Sequence, residues 1–487
     1  MLSNEQVLAT VESGNVYIEA FPGSGKTTVA AKRFGVLRFS GHQPHDVRAV
    51  IAASFTRAAT KELRVRVLRT WGSPALEWPH RIVTIDTLVV ELVHALLDSG
   101  AVEWPGGHRT IEVHDSWFAL ARPVWNRRGH EMALRGSAIS TRIVLHPAAA
   151  SRPPVADVRD AITAGVCTHD EMRQALTLAL AAPPLRQAIA EQIAVRIRAL
   201  VVDEVFDANP LDLEVVRLAA EAGVPVTLIG DPWQALYRFR GASPELVPAL
   251  TKELECSERE LSHSFRWRSE RQATLARALR ASEPVVLPRC NLDLDEGQVD
   301  VVISREWKQL WTVSARVLPL AFSGARGTSP EAAATLLLDA FARWSVGLRA
   351  TNLSDALRRL RLGQSADLEE GLQTIIREVR DDLGATARPV YEGLRDLVAD
   401  LGGVGLPKWN WHYRERLEWL IARLHMKAPL IPGLTAHQAK GHEWGVVGVA
   451  FDADDLESLG TGLDKSRERH RQLYVACTRA RNGTLLV

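Results

Sequence analysis

Residues 20–28 read AFPGSGKTT, a run whose glycines, lysine and threonines are suited to binding phosphate. Gly23 and Gly25 allow the backbone to turn so that successive N–H groups point at phosphate oxygens. A helix that begins here adds the partial positive charge of its N-terminus. Lys26 would then contact the β and γ phosphates, and Thr27 would hold Mg²⁺. The run therefore predicts an ATP site, because an ordinary glycine-rich turn would explain neither the lysine nor the threonines.

Further polar side chains follow apolar segments that are typical of buried strands. Asp203 and Glu204 come directly after residues 200–202, LVV. A carboxylate there can coordinate Mg²⁺, and its neighbour can orient or deprotonate an attacking water. Gln234 lies just beyond residues 224–229, VPVTLI, where it can sense the γ-phosphate. Adjacent acidic residues are common on protein surfaces, so the pair alone does not indicate a catalytic site. Its position directly after a strand is what predicts that the protein hydrolyses ATP.

Aromatic and cationic side chains form a second group of candidates. Tyr237, Phe239 and Arg240 offer surfaces on which nucleic-acid bases could stack, while packing of the two aromatic rings in a core is the alternative. Arg266 and Arg479 lie in segments that are not otherwise charge runs. Phosphoryl transfer needs cations against the charge that develops on the γ-phosphate, and a second domain often supplies them. Both arginines are therefore candidates, and a surface ion pair is the alternative for each.

Short apolar segments alternate with helical ones, and this alternation predicts an α/β fold. The segments that resemble strands are residues 15–20, 48–53, 197–202, 224–229, 445–451 and 484–487. Continuous apolar runs between helices indicate parallel strands that are covered on both faces. Two intervening regions, about 87–192 and 306–429, have helical spacing, and residues 356–384 within the second predict a pair of amphipathic helices.

The composition is that of an ordinary globular protein. The 487 residues carry a formal net charge of +1, which neither indicates nor excludes a nucleic-acid partner. Such a length predicts about two to four domains. The four cysteines are scattered and include no CxxC pair, which disfavours a disulfide framework or a zinc site. The start of the chain lacks the features of a signal peptide, and no apolar run reaches roughly 18 residues, so we expect a cytoplasmic protein without a membrane partner.

The order and spacing of the motifs resemble those of the UvrD/PcrA/Rep-type superfamily 1A DNA helicases. The matching segments are SNEQ (3–6), AFPGSGKTT (20–28), ASFTRAATKEL (53–63), VTIDTL (83–88), VVDEVFD (201–207), IGDPWQALYRFRGA (229–242), LSHSFR (261–266), TAHQAKGHEW (435–444) and LYVACTRA (473–480). The first helicase motif commonly begins with alanine, as Ala20 does here. The resemblance covers roughly half of the residues, and the two intervening regions match by position only.

This resemblance implies two RecA-like P-loop domains, each a parallel sheet covered by helices and each with a mainly helical insertion. The implied parts are an ATP-binding domain 1A (1–86 and 193–263), a helical insertion 1B (87–192), a domain 2A (264–305 and 430–487) and a reduced helical insertion 2B (306–429). ATP would then lie in a cleft between 1A and 2A. Closing and reopening of the cleft would move the protein along single-stranded DNA in the 3′–5′ direction.

The resemblance also implies roles for individual residues. The ATP-binding set is Gln6 (adenine), Gly23, Ser24, Gly25, Lys26, Thr27, Thr28, Phe265 (stacking on adenine), Gly441 and Glu443 (ribose). The Mg²⁺ ligands are Thr27 and Asp203. The catalytic set is Lys26, Glu204, Gln234 and two arginine fingers, Arg266 and Arg479. The DNA-binding set is Phe55, Thr56, Thr84, Tyr237, Phe239, Arg240 and His437.

Three departures from the family pattern are visible in the sequence. Phe206 stands where these helicases usually have a glutamine that helps to couple ATP to DNA. Thr28 replaces an arginine that often stacks on adenine. The insertions are short, and this compact layout is similar to that of the helicase-like subunit of the Gabija anti-phage system and of small phage-encoded helicases.

Two functions follow as hypotheses. The first is an ATP-dependent 3′–5′ DNA translocase or helicase that acts on single-stranded DNA or tailed duplex. The second is a DNA- or nucleotide-responsive ATPase switch that licenses a partner nuclease, itself with an ATPase domain, in anti-phage defence. A P-loop ATPase or kinase without motor activity is disfavoured by the arginine-bearing motifs.

Overall fold

The computed structural model describes residues 2–40, 46–117, 120, 124–293, 297–322 and 328–487. The chain divides into two compact units, Met1–Ser264 and Phe265–Val487. Each unit contains one large parallel sheet.

The first unit contains ten strands and nine helices among its described residues. The strands are β1 (Val16–Ala20), β2 (Ala49–Ser54), β3 (Arg81–Thr84), β4 (Glu112–His114), β5 (Val124–Arg135), β6 (Ala138–Arg152), β7 (Val166–Thr168), β8 (Ile197–Asp203), β9 (Val226–Gly230) and β10 (Ser257–Leu261). The helices are α1 (Asn4–Val11), α2 (Lys26–Phe39), α3 (Arg57–Trp71), α4 (Ile85–Asp98), α5 (Val155–Thr163), α6 (His169–Ala181), α7 (Pro183–Arg196), α8 (Pro210–Glu221) and α9 (Val247–Glu253).

The main sheet of this unit has the strand order β10-β1-β9-β8-β2-β3, and all its pairs are parallel. Successive side chains of a strand point to opposite faces. Leu200 and Val201 of β8 accordingly belong to two different apolar clusters. The first cluster includes residues of α4, α6, α7 and α8, and the second includes residues of α2 and α3. The sheet is therefore covered on both faces, as its apolar strands predict.

The region between β3 and β8 contains helices α4 to α7, as the sequence predicts, and also a feature that the sequence did not reveal. Strands β5 and β6 form a long antiparallel ribbon that turns at Gly136, whose φ is +61°. The ribbon packs on α6 through buried Met132. Many of its outward residues are exposed, which blurs the alternation of apolar and polar residues by which a strand is recognised.

The second unit contains five strands and ten helices in its described part. The strands are β11 (Val301–Ser304), β12 (Val317–Pro319), β13 (Ile431–Thr435), β14 (Trp444–Ala450) and β15 (Ala480–Leu486). The helices are α10 (Glu270–Arg280), α11 (Trp307–Val313), α12 (Ser329–Val346), α13 (Leu353–Leu360), α14 (Ala366–Asp381), α15 (Ala387–Asp400), α16 (Arg414–Leu424), α17 (Ala436–Ala439), α18 (Ala453–Thr461) and α19 (Glu468–Cys477).

The sheet of the second unit has the order β12-β13-β11-β14-β15 with parallel pairs throughout. Helices α12 to α16 lie between β12 and β13 in the sequence, and the predicted amphipathic pair is present as α13 and α14. Arg423 of α16 holds this helical region to the sheet region. It donates to the carbonyl oxygens of Trp311, Ser314 and Val317 and lies over the Trp311 ring, 4.5 Å from its centre. Burial lowers the pKa of Arg423 to about 10.

The two parallel sheets confirm the predicted α/β class with two RecA-like domains. No helix in the described part of the chain has the length and apolar character that crossing a lipid bilayer requires.

Candidate nucleotide-binding site and nucleic-acid interface

Three neighbouring strands of the first unit end at the same edge of the sheet. β1 pairs with β9 so that Glu19 lies opposite Gly230, and β8 pairs with β9 so that Asp203 lies opposite Ile229. The glycine-rich loop, the GDPWQ segment and the acidic pair therefore emerge side by side. This edge, beyond the carboxyl ends of the strands, is where parallel α/β sheets bind ligands.

The glycine-rich loop has the backbone that a phosphate site needs. Gly23 and Gly25 have φ of +74° and +82°, and Gly25 caps the N-terminus of α2. The first N–H groups of a helix have no partner within the helix and attract anions. Ser24 is buried, and its hydroxyl has no hydrogen-bond partner among the described residues. An orphaned buried hydroxyl beside such a helix start fits a phosphate group, which would accept its hydrogen bond.

Gln6 is fixed against this loop. Its amide nitrogen donates to the carbonyl oxygen of Ser24 at 2.8 Å, and its amide oxygen accepts from the backbone N–H of Ser3 at 3.1 Å. A Cβ atom added at Gly25 would lie 2.7 Å from the amide nitrogen of Gln6. Glycine is therefore required at position 25 both for its left-handed backbone and for the close approach of Gln6.

Lys26, Asp203 and Glu204 form the charged centre of the site. The Lys26 ammonium lies 2.9 Å from a carboxylate oxygen of Glu204 as an ion pair. Asp203 is buried, and burial together with the adjacent Glu204 carboxylate raises its pKa to about 7. A divalent cation would favour the charged form of this carboxylate. Glu204 has φ of +61°, a left-handed conformation that is uncommon outside glycine and is found at functional sites.

Gln234 is held at the same edge by a residue that the sequence did not single out. Its amide nitrogen donates to the Asp231 carboxylate at 2.6 Å, and both side chains are buried. Asp231 also accepts from the backbone N–H of Trp233 at 3.1 Å. The Asp231 carboxylate therefore orients Gln234, and its position directly after an apolar strand was the signal that could have identified it.

Phe206, the departure from the helicase pattern, is a packing residue. Its ring is buried and meets Tyr17 edge to face, with 6.4 Å between the ring centres. A Cβ atom added at Gly230 would lie 2.7 Å from this ring. Phe206 thus fills the space beneath the end of β9 and brings no hydrogen-bonding group to the site.

The predicted DNA contacts after β2 and β3 come together. Thr56 caps α3 by accepting from Ala59 N–H at 3.1 Å, and Thr84 caps α4 by accepting from Thr87 N–H at 3.3 Å. Phe55 and Thr84 line one groove of about 490 Å³. The other residues of this groove include the cations Arg57, Lys61 and Arg64 and the acids Asp86 and Asp115. Cations beside two helix N-termini suit the binding of nucleic-acid phosphates.

Tyr237, Phe239 and Arg240 form one stack within the first unit. The guanidinium of Arg240 lies 5.1 Å from the centre of the Tyr237 ring and 5.5 Å from that of Phe239. Phe239 is exposed, with 65% of its surface accessible. An exposed aromatic ring beside a cation is the combination that binds unpaired bases, whereas a core role would bury both rings.

A predicted catalytic residue and a predicted ATP-binding residue of the second unit form an ion pair. Arg266 donates to Glu443 at 2.8 Å and to the carbonyl oxygen of Thr478 at 2.8 Å. Burial opposes ionisation of Glu443, but Arg266 and then Arg481 outweigh it and hold the pKa of Glu443 below its ordinary value.

The remaining predicted residues of this unit differ in their exposure. Arg479 is buried and donates to the carbonyl oxygen of Val475 at 3.1 Å. Phe265 is exposed. His437 is half-buried on the short helix α17. Gly441 follows this helix and has φ of +88°. Phe265 is thus accessible, whereas Arg479 is buried.

Comparison with known proteins bears directly on this arrangement. A family model described as "AAA domain" matches residues 3–240. The ATP-dependent DNA helicase UvrD2 of Mycobacterium tuberculosis is 26% identical over 563 aligned residues, which cover 98% of this chain and 76% of UvrD2. The ATP-dependent DNA helicase Rep of Escherichia coli is 25% identical over 260 residues, covering 50% of this chain and 37% of Rep.

These matches support a UvrD/Rep-like superfamily 1 helicase. The alignment with UvrD2 covers both units, whereas the "AAA domain" match lies within the first unit. The similarity supports a helicase-like ATPase and agrees with the clustering of loop, acidic pair and glutamine at one sheet edge.

Proposed function

We propose that this protein hydrolyses ATP to move along single-stranded DNA in the 3′–5′ direction and thereby acts as a DNA translocase or helicase. The observation that carries the proposal is the cluster formed by Lys26, Asp203 and Glu204 beside a phosphate-type loop. The loop contributes an orphaned hydroxyl at Ser24, and the cluster contributes a cation for phosphate and two carboxylates.

The residues of the first unit divide the chemistry among them. Gly23 to Gly25 and the start of α2 would bind the phosphates, and Thr27 with Asp203 would hold Mg²⁺, which neutralises phosphate charge. When ATP binds, Lys26 would leave its ion pair with Glu204 and pair with the γ-phosphate instead. Glu204, once released, becomes able to accept the proton of the attacking water.

Contacts from the second unit are proposed from their places in the motifs. Arg266 and Arg479 would stabilise the charge that develops on the γ-phosphate, and Glu443 would bind the ribose. The Arg266–Glu443 pair described above would keep both side chains oriented before the nucleotide arrives. Phe265, exposed at the start of the second unit, would stack on adenine.

The nucleic-acid path is proposed to use the groove lined by Phe55 and Thr84 and the stack of Tyr237, Phe239 and Arg240. Phosphates would bind in the groove and bases would stack on the exposed Phe239 ring. Because phosphate contacts release counterions, the affinity for single-stranded DNA should fall steeply with salt concentration. A flat salt response would contradict this path.

The decisive experiment measures ATP hydrolysis with and without single-stranded DNA, and unwinding of 3′-tailed against 5′-tailed duplex. We expect DNA-stimulated hydrolysis, unwinding of the 3′-tailed duplex only, and no hydrolysis by Lys26→Ala. Retained hydrolysis in Lys26→Ala would refute the site. Unwinding of the 5′-tailed duplex alone would refute the direction.

A second candidate function is an ATPase switch that responds to DNA or nucleotide and licenses a partner nuclease in anti-phage defence. The observation that favours it is Phe206, which packs against Tyr17 where related helicases usually carry a coupling glutamine. A switch should hydrolyse ATP in response to DNA yet unwind neither tailed duplex. Unwinding in the absence of any partner would remove this candidate.

A further inference from the structure

Asp115 places a carboxylate in the groove that is proposed to bind nucleic-acid phosphates. It directly follows β4, which pairs with β7 so that His114 lies opposite Thr168. Asp115 and His169 therefore leave this two-stranded sheet side by side, and Nε2 of His169 lies 3.7 Å from a carboxylate oxygen of Asp115. Both side chains line the groove, as does Arg57. The region between β3 and β8 thus contributes an acid to a groove that is proposed to bind an anion.

Arg57 is the partner of this carboxylate. It is the first residue of α3 and follows Thr56, the capping residue that the sequence predicts to contact DNA. Its Nη2 atom donates to the same carboxylate oxygen of Asp115 at 2.6 Å. Two further cations of α3, Lys61 and Arg64, line the same groove. Asp115 therefore accepts, from one of the cations of the groove, a hydrogen bond that a nucleic-acid phosphate would also accept.

We propose that Asp115 is an internal competitor for phosphate: it holds Arg57 while the groove is free of nucleic acid, and an incoming phosphate takes its place. The proposal rests on the proposed function, because it needs the strand to bind in this groove. The guanidinium group matches carboxylates and phosphates alike, so one anion can replace the other. The side chains of Arg57 and Asp115 are 77% and 66% exposed, so water can solvate the carboxylate once it is displaced. Asp115 therefore lowers the affinity of the groove for a strand.

The other acid of the groove, Asp86, has a different kind of partner. Arg173 donates to Asp86 at 2.7 Å and to the buried Asp212 at 2.9 Å, and it is not among the described residues that line the groove. A phosphate can therefore bind in the groove without separating Asp86 from Arg173. The pair of Asp115 differs, because its arginine is one of the cations of the groove itself. Asp115 is thus the acid that a bound strand has to displace.

The alternative role for Asp115 is an ordinary surface pair that stabilises the fold. A pair as exposed as this one contributes little to stability, because both charges are well solvated without each other. It nevertheless joins residues 58 positions apart in the chain, and it does so within the groove. The two roles predict different results: loss of a stabilising pair changes the melting temperature and leaves DNA affinity unaltered, whereas loss of a competitor changes DNA affinity and hardly affects the melting temperature.

The test measures binding of a fluorescein-labelled oligothymidine strand to the full chain by fluorescence anisotropy at low salt. In Asp115→Asn, the Kd should fall about 2- to 10-fold, and the difference from the wild type should shrink as added salt screens the charges. The DNA concentration that gives half-maximal stimulation of ATP hydrolysis should fall by a similar factor. The matched control, Asp160→Asn, removes an acid that is 75% exposed and pairs with Arg159, and it should bind the strand as the wild type does.

A second background distinguishes displacement of Asp115 from simple repulsion between its charge and the strand. Arg57→Gln should weaken binding, because it removes a cation that contacts phosphate. In the Arg57→Gln protein, the further change Asp115→Asn should lower the Kd by a smaller factor than it does when Arg57 is present, since no ion pair is left to separate. An equal or larger factor would show that Asp115 only repels the strand and would overturn its role as a competitor.

The outcomes separate this inference from the proposed function. Unchanged or weaker binding by Asp115→Asn, an equal gain in Asp160→Asn, or wild-type affinity in Arg57→Gln would each overturn the role of Asp115 and leave the translocase proposal intact. A wild-type protein that binds no oligothymidine at low salt would overturn the proposed nucleic-acid path and, with it, the role of Asp115.

Discussion

Replacing Glu204 with glutamine should move ATP binding and ATP hydrolysis in opposite directions. Glu204 has two roles in the proposed site: it pairs with Lys26 at 2.9 Å before ATP binds, and it accepts a proton during hydrolysis. Glutamine keeps the size of the side chain and suits the left-handed backbone no worse than glutamate. The substitution therefore removes the charge with little change in shape.

The structure sets the size of both effects. The side chains of Lys26 and Glu204 are 11% and 22% exposed, so their pair should be worth about 1 kcal/mol, the upper end for surface pairs. ATP no longer has to displace it in Glu204→Gln, and its Kd should fall about fivefold. The repulsion that helps to raise the pKa of Asp203 also disappears, which favours its charged, Mg²⁺-binding form. Loss of the proton acceptor should lower turnover about 10²- to 10⁴-fold.

The assay pairs a titration of the full chain with an ATP analogue and the DNA-stimulated rate of phosphate release. Glu253→Gln removes an acid from the same unit that pairs with Arg217 and should leave both quantities at wild-type values. Turnover near the wild-type rate in Glu204→Gln would refute the assignment of the proton acceptor. Weaker ATP binding in that variant would refute the idea that Lys26 is released from an ion pair.

Three further results are expected. Arg423→Met should lower the free energy of unfolding by about 3–5 kcal/mol, because it leaves the carbonyl oxygens that Arg423 binds without their hydrogen-bond donor. Denaturation with guanidinium chloride measures this loss. The control, Arg414→Met at an exposed position, should change the free energy of unfolding by no more than about 0.5 kcal/mol. Glu171→Gln should destabilise the protein at neutral pH. Hydrogen bonds from His130, Thr168 and Trp117 outweigh the effect of burial and lower the pKa of Glu171 in the folded protein. The melting temperatures of variant and wild type should therefore converge as the pH falls below about 4.5 and the wild-type carboxylate becomes protonated. Phe206→Gln should weaken the packing against Tyr17 and reduce thermal stability, and an unaltered melting temperature would contradict the packing role.

The sequence predicted the parts of this molecule that depend on local pattern. Continuous apolar runs identified the strands that carry the loop and the acidic pair, because a parallel strand buried on both faces leaves little choice of residue. The ribbon of β5 and β6 escaped prediction because many of its residues are exposed, which blurs the alternation of apolar and polar residues by which a strand is recognised.

In the candidate site, too, local sequence pattern predicted some residues and missed others. Lys26, Glu204 and Gln234 were predicted from their motifs, since each has a fixed distance along the chain from a strand end. Asp231 was not, because its importance lies in a contact with Gln234 that sequence spacing does not express. The burial of Arg479 likewise depends on the fold around it, which sequence spacing does not express.

The strand order of the first unit has a consequence for how the protein is made. β1, which leads into the phosphate loop, pairs with β9 and β10, and β10 ends about 240 residues later in the chain. At about 5–20 residues per second, a ribosome needs about 10–50 s to synthesise that interval. During this time an apolar strand edge waits without its partners, whereas β2 and β3 can already pair. The nucleotide site is therefore among the last parts of its unit to form during synthesis, and interrupted translation products of this chain should bind no ATP.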